Sequence, residues 1–332
     1  TAIMSALGIM LLLSLLLSVG FGAADLTVGR TVHILLDALT GGADGADMQD
    51  RIILLELRLP RILLGALVGA GLAMVGTVLQ GITRNPLADP YLFGISSGAS
   101  VGAVAVMLYG GALFGAIGLP IAAFFGAMLS LSLVFVLARE SGGFTTQRLI
   151  LTGVGVQFVL MAVTNMLILG GPDRGAESVL FWMLGGFSAA RWSLVLSTGA
   201  AVLIGFVWLL LRAPSLDAMA LGDEGAHTLG VPVRQVTAEM FVVTALVTGT
   251  LVAASGSVGF VGLVVPHCAR WLAGARIRAM LIPALLLGAI LTVWTDVAAR
   301  AILAPRELPI GVMTAAIGGI FFIVILKRRR TV

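Results

Sequence analysis

Three histidines, one cysteine and one lysine bound what this sequence can catalyse. His33, His227 and His267 stand on separate polar stretches, without the His-Glu-x-x-His spacing that sets two imidazoles on one helix face to grip zinc. Each reads as a helix-end residue. Cys268 has no second cysteine with which to form a disulfide or a multi-cysteine metal site. A phosphate-binding loop of the Gly-x-x-x-x-Gly-Lys-Ser/Thr kind needs a lysine that reaches the terminal phosphates, and the only lysine is Lys327. The chain therefore carries no ATPase site of that type. Gly94-Ile95-Ser96-Ser97-Gly98 has the count of a nucleophile elbow, but it opens an apolar run and no strand precedes it.

The remaining charges suit pairing better than catalysis. Asp296 is the one carboxylate deep in an apolar run, and Arg300 lies one helical turn on, on the same face. A proton relay usually draws on several intramembrane acids, so an ion pair at a helix end is the simpler expectation. Arg58 and Arg61 flank Pro60, which fixes the backbone at a helix start, and guanidinium forks suit bidentate pairing with carboxylates. Snorkelling, or pairing with Asp50, Glu56 or Asp296, is the plainer alternative.

The elements that must position these groups are membrane helices. The chain has 332 residues, of which 59% are hydrophobic and 11% charged, and the apolar runs recur along its whole length. That composition belongs in lipid, and one membrane domain over 1–332 is expected. The basic residues lie mainly between apolar runs, which argues against nucleic acid as a partner. Crossing a hydrocarbon core of about 30 Å takes about 20 apolar residues. Ten runs meet this need, near 3–22, 60–81, 92–109, 113–138, 148–170, 191–211, 234–254, 258–273, 279–299 and 308–326. The first could pass for a secretory signal, but it lacks a basic leading region and is long enough to span. The expected fold is an all-α membrane protein of about ten spans. Placing both termini in the cytoplasm leaves twelve basic residues inside and eight outside, the bias that orients such proteins. Asp44, Asp47, Asp50 and Glu56 then crowd the first outer loop.

Gly65-x-x-x-Gly69 lets helix backbones approach where lipid supplies no hydrophobic drive. The denser Ser255-Gly256-Ser257-Val258-Gly259-Phe260-Val261-Gly262 reads either as close packing or as a broken helix, which is tolerable only if buried in protein or lining a cavity. Residues 71–76 and 250–256 echo one another faintly, as the halves of an inverted repeat would.

Four separated segments resemble one family, the permeases of ATP-binding-cassette importers for iron chelates, haem and cobalamin. They are Arg58-Leu59-Pro60-Arg61; Asn85-Pro86-Leu87-Ala88-Asp89-Pro90 with Gly94-Ile95-Ser96-Ser97-Gly98-Ala99; Gly259-Phe260-Val261-Gly262-Leu263-Val264-Val265-Pro266-His267; and Glu307-Leu308-Pro309-Ile310-Gly311-Val312. Phe181-Trp182-Met183-Leu184-Gly185-Gly186-Phe187 resembles the cobalamin branch without fixing the cargo. The resemblance implies a multi-pass protein of the bacterial inner membrane that pairs with a second copy of itself. It also implies two cytoplasmic ATPases, which hold ATP and Mg, and a periplasmic binding protein that delivers the ligand. No cofactor is expected on this chain.

By the same resemblance, Arg58, Arg61 and Arg300 would receive acidic residues of the binding protein, and Thr146 and Gln147 would lie at the cytoplasmic gate, in a loop over 141–148. The segment 214–231 would contact the ATPases through Ser215, Leu216, Asp217, Met219, Leu221, Gly222, Glu224, Ala226, Leu229 and Gly230. Its residues suggest two short cytoplasmic coupling helices, with Pro214 ending the preceding span and Ser215 capping a short new helix. Gln157, Thr164 and Asn165 either line the path or join helices by hydrogen bonds. An iron chelate, haem included, is the expected cargo and cobalamin the alternative. An ion-coupled secondary transporter is the rival of a different class; it fits broken helices but not the shortage of buried acids.

Overall fold

The computed structural model describes residues 2–21, 28–40, 48–110, 115–140, 146–172 and 175–329, and among them every regular element is helical. In chain order these are α1 (Ala2–Val19), α2 (Val28–Thr40) and α3 (Met48–Ile52), which runs through a π-helical turn (Ile53–Arg58) into α4 (Leu59–Thr83). A 3-10 turn (Pro90–Phe93) leads to α5 (Ile95–Tyr109), α6 (Gly115–Glu140), α7 (Thr146–Leu169) and α8 (Ala176–Met183). Then come α9 (Trp192–Met219), α10 (Asp223–Thr228), α11 (Val233–Ser255), α12 (Val261–Ala273), α13 (Ile277–Ala301) and α14 (Ile310–Arg329). The ten expected spans correspond to α1, α4–α7, α9 and α11–α14. Seven are long and apolar enough to cross a membrane, while α5, α12 and the apolar part of α14 are shorter.

α4 is the core of the bundle. Glycines let its backbone touch its neighbours: a Cβ on Gly69 would lie 2.2 Å from the Gly288 carbonyl of α13, and one on Gly76 would lie 1.8 Å from the Gly262 carbonyl of α12. The Gly65-x-x-x-Gly69 reading as close packing is thus borne out at Gly69. Leu12, Leu13, Leu16 and Leu17 of α1, and Phe158, Val159 and Met166 of α7, stay exposed on the outside of the bundle.

The stretch after α11 is a broken helix. α11 stops at Ser255, and Gly256 takes φ +66°, where a Cβ would meet the Trp182 carbonyl at 2.1 Å. Helix resumes only after Phe260, itself at φ +66°. Protein groups satisfy the freed backbone, as the low-dielectric interior demands. The Tyr91 hydroxyl donates to Val258 O and accepts from Val258 N, both at 3.0 Å. Gln80 Nε2 donates to the carbonyls of Gly262 and Leu263 at 3.3 and 3.2 Å.

Between α9 and α11 the structure corrects the expectation. Pro214 lies inside α9, Ser215 caps nothing, and one short helix, α10, stands where two were expected. Proline costs a helix the bond to the carbonyl four residues back, but Ala213, Leu216 and Met219 are buried and hold α9 together through it. Asp44, Asp47 and residues 141–145 of the gate loop lie outside the described residues.

Candidate functional site: two ends of the bundle

At one end, the first turn of α4 and the last turns of α13 bring charged side chains together. Arg61 lays its fork on Asp296, with Nε 3.2 Å from both carboxylate oxygens and Nη2 2.9 Å from Oδ1. Its Nη1 donates to Glu307 Oε1 at 2.9 Å. Arg300 Nε pairs with Asp296 Oδ2 at 2.9 Å, which bears out the expected ion pair, and its Nη1 donates to the Phe21 carbonyl. Arg300 Nη2 is buried with no partner among the described residues.

Arg58 differs from its two companions in its partner. It is buried like Arg300, but its Nη1 donates to a backbone carbonyl, Val19 O, at 2.6 Å, closing the last turn of α1. An outward-facing Arg58 is therefore corrected to a buried structural arginine. A π turn over Ile53–Arg58 precedes α4, and from Arg58 the two arginines reach different partners, α1 for Arg58 and α13 for Arg61. Trp192 Nε1 takes up a carbonyl of that turn, Leu55 O, at 3.1 Å.

Beside this network opens a cavity of about 1100 Å³. Arg61, Asp296 and Glu307 edge it, and Trp182, Phe187 and Leu194 contribute apolar wall. Its backbone is stitched across three elements: Gly186 N donates to Ser255 O at 2.8 Å, and Ile310 N and Gly311 N donate to Gly185 O and Leu184 O at 3.0 Å each.

At the opposite end, Arg84 Nε and Nη2 donate to Met219 O at 3.1 and 2.8 Å, and Arg84 also pairs with Asp223. Asp217 Oδ1 accepts from Ile277 N at 2.6 Å. These contacts divide the segment 214–231 in two. Leu216, Met219 and Ala226 are buried and Asp217 is bonded, so they seat the segment on the bundle; Leu221, Glu224, Leu229 and Gly230 are exposed. Ser215 and Gly222 are half-buried, with Gly222 at φ +108°.

On the same side, between α4 and α5, Asp89 accepts from Tyr91 N at 2.8 Å. Burial pushes the Asp89 carboxyl up to about 6, partly offset by that bond. Burial, and then the Asp89 charge, push the Tyr91 phenol up as well.

In α7, Thr146 forms the first residue, with its side chain outside the described residues, and Gln147 is exposed. Thr164 is buried and gives its hydroxyl to Leu160 O of its own helix at 3.0 Å. Gln157 is half-buried and Asn165 exposed. Sequence reasoning missed Tyr91, Gln80 and Glu307 as organising residues. Only Glu307 left a signal, as an acid beside the outer arginine cluster.

The profile of the FecCD transport family matches residues 10–328. The chain belongs to the FecCD transport family. Among curated relatives, the hemin transport system permease protein of Yersinia pestis is 39% identical over 281 residues, covering 84% of each chain. The cobalamin import system permease protein of Halobacterium salinarum is 40% identical over 279 residues, 84% of this chain and 74% of that one. The Fe(3+) dicitrate permease protein of Escherichia coli is also 40% identical over 279 residues, 84% of this chain and 86% of its own. A solved metal-chelate type ABC transporter, described as inward-facing, superposes with TM-score 0.87 at 29% identity and covers 98% of this chain and 99% of its own. All three of these relatives are permease proteins, and the apolar helices of this chain make it a multi-pass membrane protein.

Proposed function

We propose that this chain is the membrane-spanning permease of a binding-protein-dependent ABC importer in a bacterial inner membrane. It forms the translocation path for an iron chelate, haem or a ferric siderophore, and ATP is hydrolysed with Mg on separate subunits. What carries the reading is the family match across residues 10–328, supported by a near full-length likeness to a metal-chelate type transporter. A second reading, cobalamin, draws on the 40% identical relative from Halobacterium salinarum.

In this proposal two copies enclose the path, and the 1100 Å³ cavity is one half of its outer mouth. Arg61 and Arg300 supply the positive charge that receives acidic residues of the binding protein, Arg61 at the edge that Glu307 covers. Arg58 contributes charge from below the surface. The exposed side chains Leu221, Glu224 and Leu229 meet the ATPase, while Leu216, Asp217 and Met219 carry its motion into α9. Thr146 and Gln147 flank the inner gate, and Gln157 and Asn165 wet the path.

The test is transport in proteoliposomes holding the permease, its ATPase and its binding protein, offered haem, ferric citrate and cobalamin in turn. Uptake of an iron chelate that stops with vanadate supports the proposal. Uptake of cobalamin alone selects the second reading, and uptake that persists on an ion gradient without the ATPase overturns both.

A further inference from the structure

The two acids that hold Arg61 are not equivalent. Asp296 is 5% exposed and is bonded by Arg61 and Arg300 together. Glu307 is 45% exposed and reaches Arg61 through the single bond from Nη1. Asp296 is thus the fixed counterion, whereas Glu307 covers the solvent-facing edge of the guanidinium. That edge is the one an incoming carboxylate would use.

We infer that Glu307 is a built-in competitor for the docking site, so that an acidic residue of the soluble binding protein must displace it from Arg61 to dock. The inference rests on the docking role proposed above and names the residue that limits it. Two features of the structure support an exchange. A pair with one partner nearly half exposed is weakly held and screened by salt. The backbone on either side of the side chain is also pinned, with Leu308 N donating to Ala299 O and Ile310 N to Gly185 O, both at 3.0 Å. Glu307 can therefore swing away by side-chain rotation alone, without unravelling the loop between α13 and α14.

Charge favours the same conclusion. Among the described residues lining the cavity, Arg61, Arg191 and Arg306 stand against Glu177, Asp296 and Glu307, and Arg58 and Arg300 beside them tip the balance to positive. Displacing Glu307 exposes more of that positive field to the arriving acid, and a carboxylate of this chain gives way to one of the partner. The competition keeps docking reversible, which a delivery cycle needs.

The experiment measures how tightly the binding protein that supports transport by the reconstituted complex docks onto that complex, at low and at high salt. Glu307→Gln keeps the side-chain length and removes the charge. It should tighten docking about threefold to tenfold at low salt, with the gain shrinking at high salt. Glu307→Asp, one methylene shorter and still charged, should tighten it less. Unchanged or weaker docking by a folded Glu307→Gln complex would show that Glu307 orients Arg61 or plays no part, and overturns the inference. Arg61→Glu separates the two levels. If it leaves docking untouched, the docking site itself is wrong; if it weakens docking while Glu307→Gln does not tighten it, only the competition falls.

Discussion

Asp296→Ala should be the most damaging single change at the outer end, because it leaves two arginines without their shared counterion. Arg61 and Arg300 are 16% and 8% exposed, and both lean on a carboxylate that is 5% exposed. At about 3 Å and an effective dielectric near 20, each pair has a gross attraction of about 5 kcal/mol. Desolvation of the charges cancels much of this, and removal of one partner from a buried pair typically costs about 3–5 kcal/mol. By contrast Arg212 and Glu239, paired at 2.8 Å but 44% and 22% exposed, form a surface pair worth about 0–1 kcal/mol. Thermal unfolding in detergent can be followed through Cys268, the chain's only cysteine and a half-buried one, with a thiol-reactive dye. Asp296→Ala should lower the midpoint by on the order of 10 °C, Asp296→Asn by less, and Glu239→Ala by about a degree or two. Combining Asp296→Leu with Arg300→Met should recover part of the loss, since an apolar pair replaces a charged one. Equal midpoints for Asp296→Ala and Glu239→Ala would refute the reasoning.

Gly76→Ala should cost about 1–3 kcal/mol or block assembly, because its Cβ would sit 1.8 Å from Gly262 O, whereas Gly259→Ala meets nothing within 4 Å and should be near neutral in the same melting assay. Asp89 supplies a pH dependence. Its carboxyl is raised from 3.8 to about 6 in the fold, so the native state binds the proton more tightly than the unfolded chain does. Stability contributed by this group is therefore present below about pH 4 and falls by up to about 3 kcal/mol as pH rises to about 6, then stays level. Asp89→Asn should flatten that slope, as melting midpoints between pH 4 and 7 will show. Glu224→Arg, on the exposed face of the segment 214–231, should reduce transport and transport-linked ATP hydrolysis severalfold while leaving the melting midpoint unchanged; full activity would remove the segment from the ATPase contact.

Much of the fold was legible because lipid leaves few options: backbone groups must be paired within each crossing segment, so run length alone marks the helices. All ten runs coincide with helices for that reason. The failures have local causes. Pro214 reads as a stop, yet packing at Ala213, Leu216 and Met219 carries α9 past it. Topology and resemblance place Arg58 with Arg61 and Arg300, and neither shows that its guanidinium turns inward to Val19 O, a tertiary contact 39 positions away. At the site, the Asp296–Arg300 pair follows from one helical turn, which a sequence displays directly. The link from Arg61 to Asp296 joins residues 235 positions apart, and only tertiary packing reveals it.

The two shortest spans explain what holds the ends of the bundle in register. At 1.5 Å per residue, α5 and α12 measure about 22 and 20 Å, too short to cross about 30 Å of hydrocarbon unaided. Both begin at a left-handed residue, Gly94 at φ +70° and Phe260 at φ +66°, and both are preceded by irregular backbone. Those irregular stretches meet: Tyr91 clasps Val258, and Ser96 Oγ donates to Ser257 Oγ at 3.2 Å. From there the contacts continue both ways. Arg84, at the start of one stretch, holds Met219 and Asp223, while Ser255, before the other, accepts from Gly186 in the wall of the outer cavity. A bonded route thus runs from the proposed ATPase-facing segment, through the meeting point of two half-helices, to the wall that Glu307 and Arg61 edge. Apart from the exposed Arg84–Asp223 pair, the links are hydrogen bonds to backbone or part-buried polar contacts, and lengthening one leaves a group unpaired away from water. That requirement favours displacement of the linked elements as a unit over their deformation one at a time.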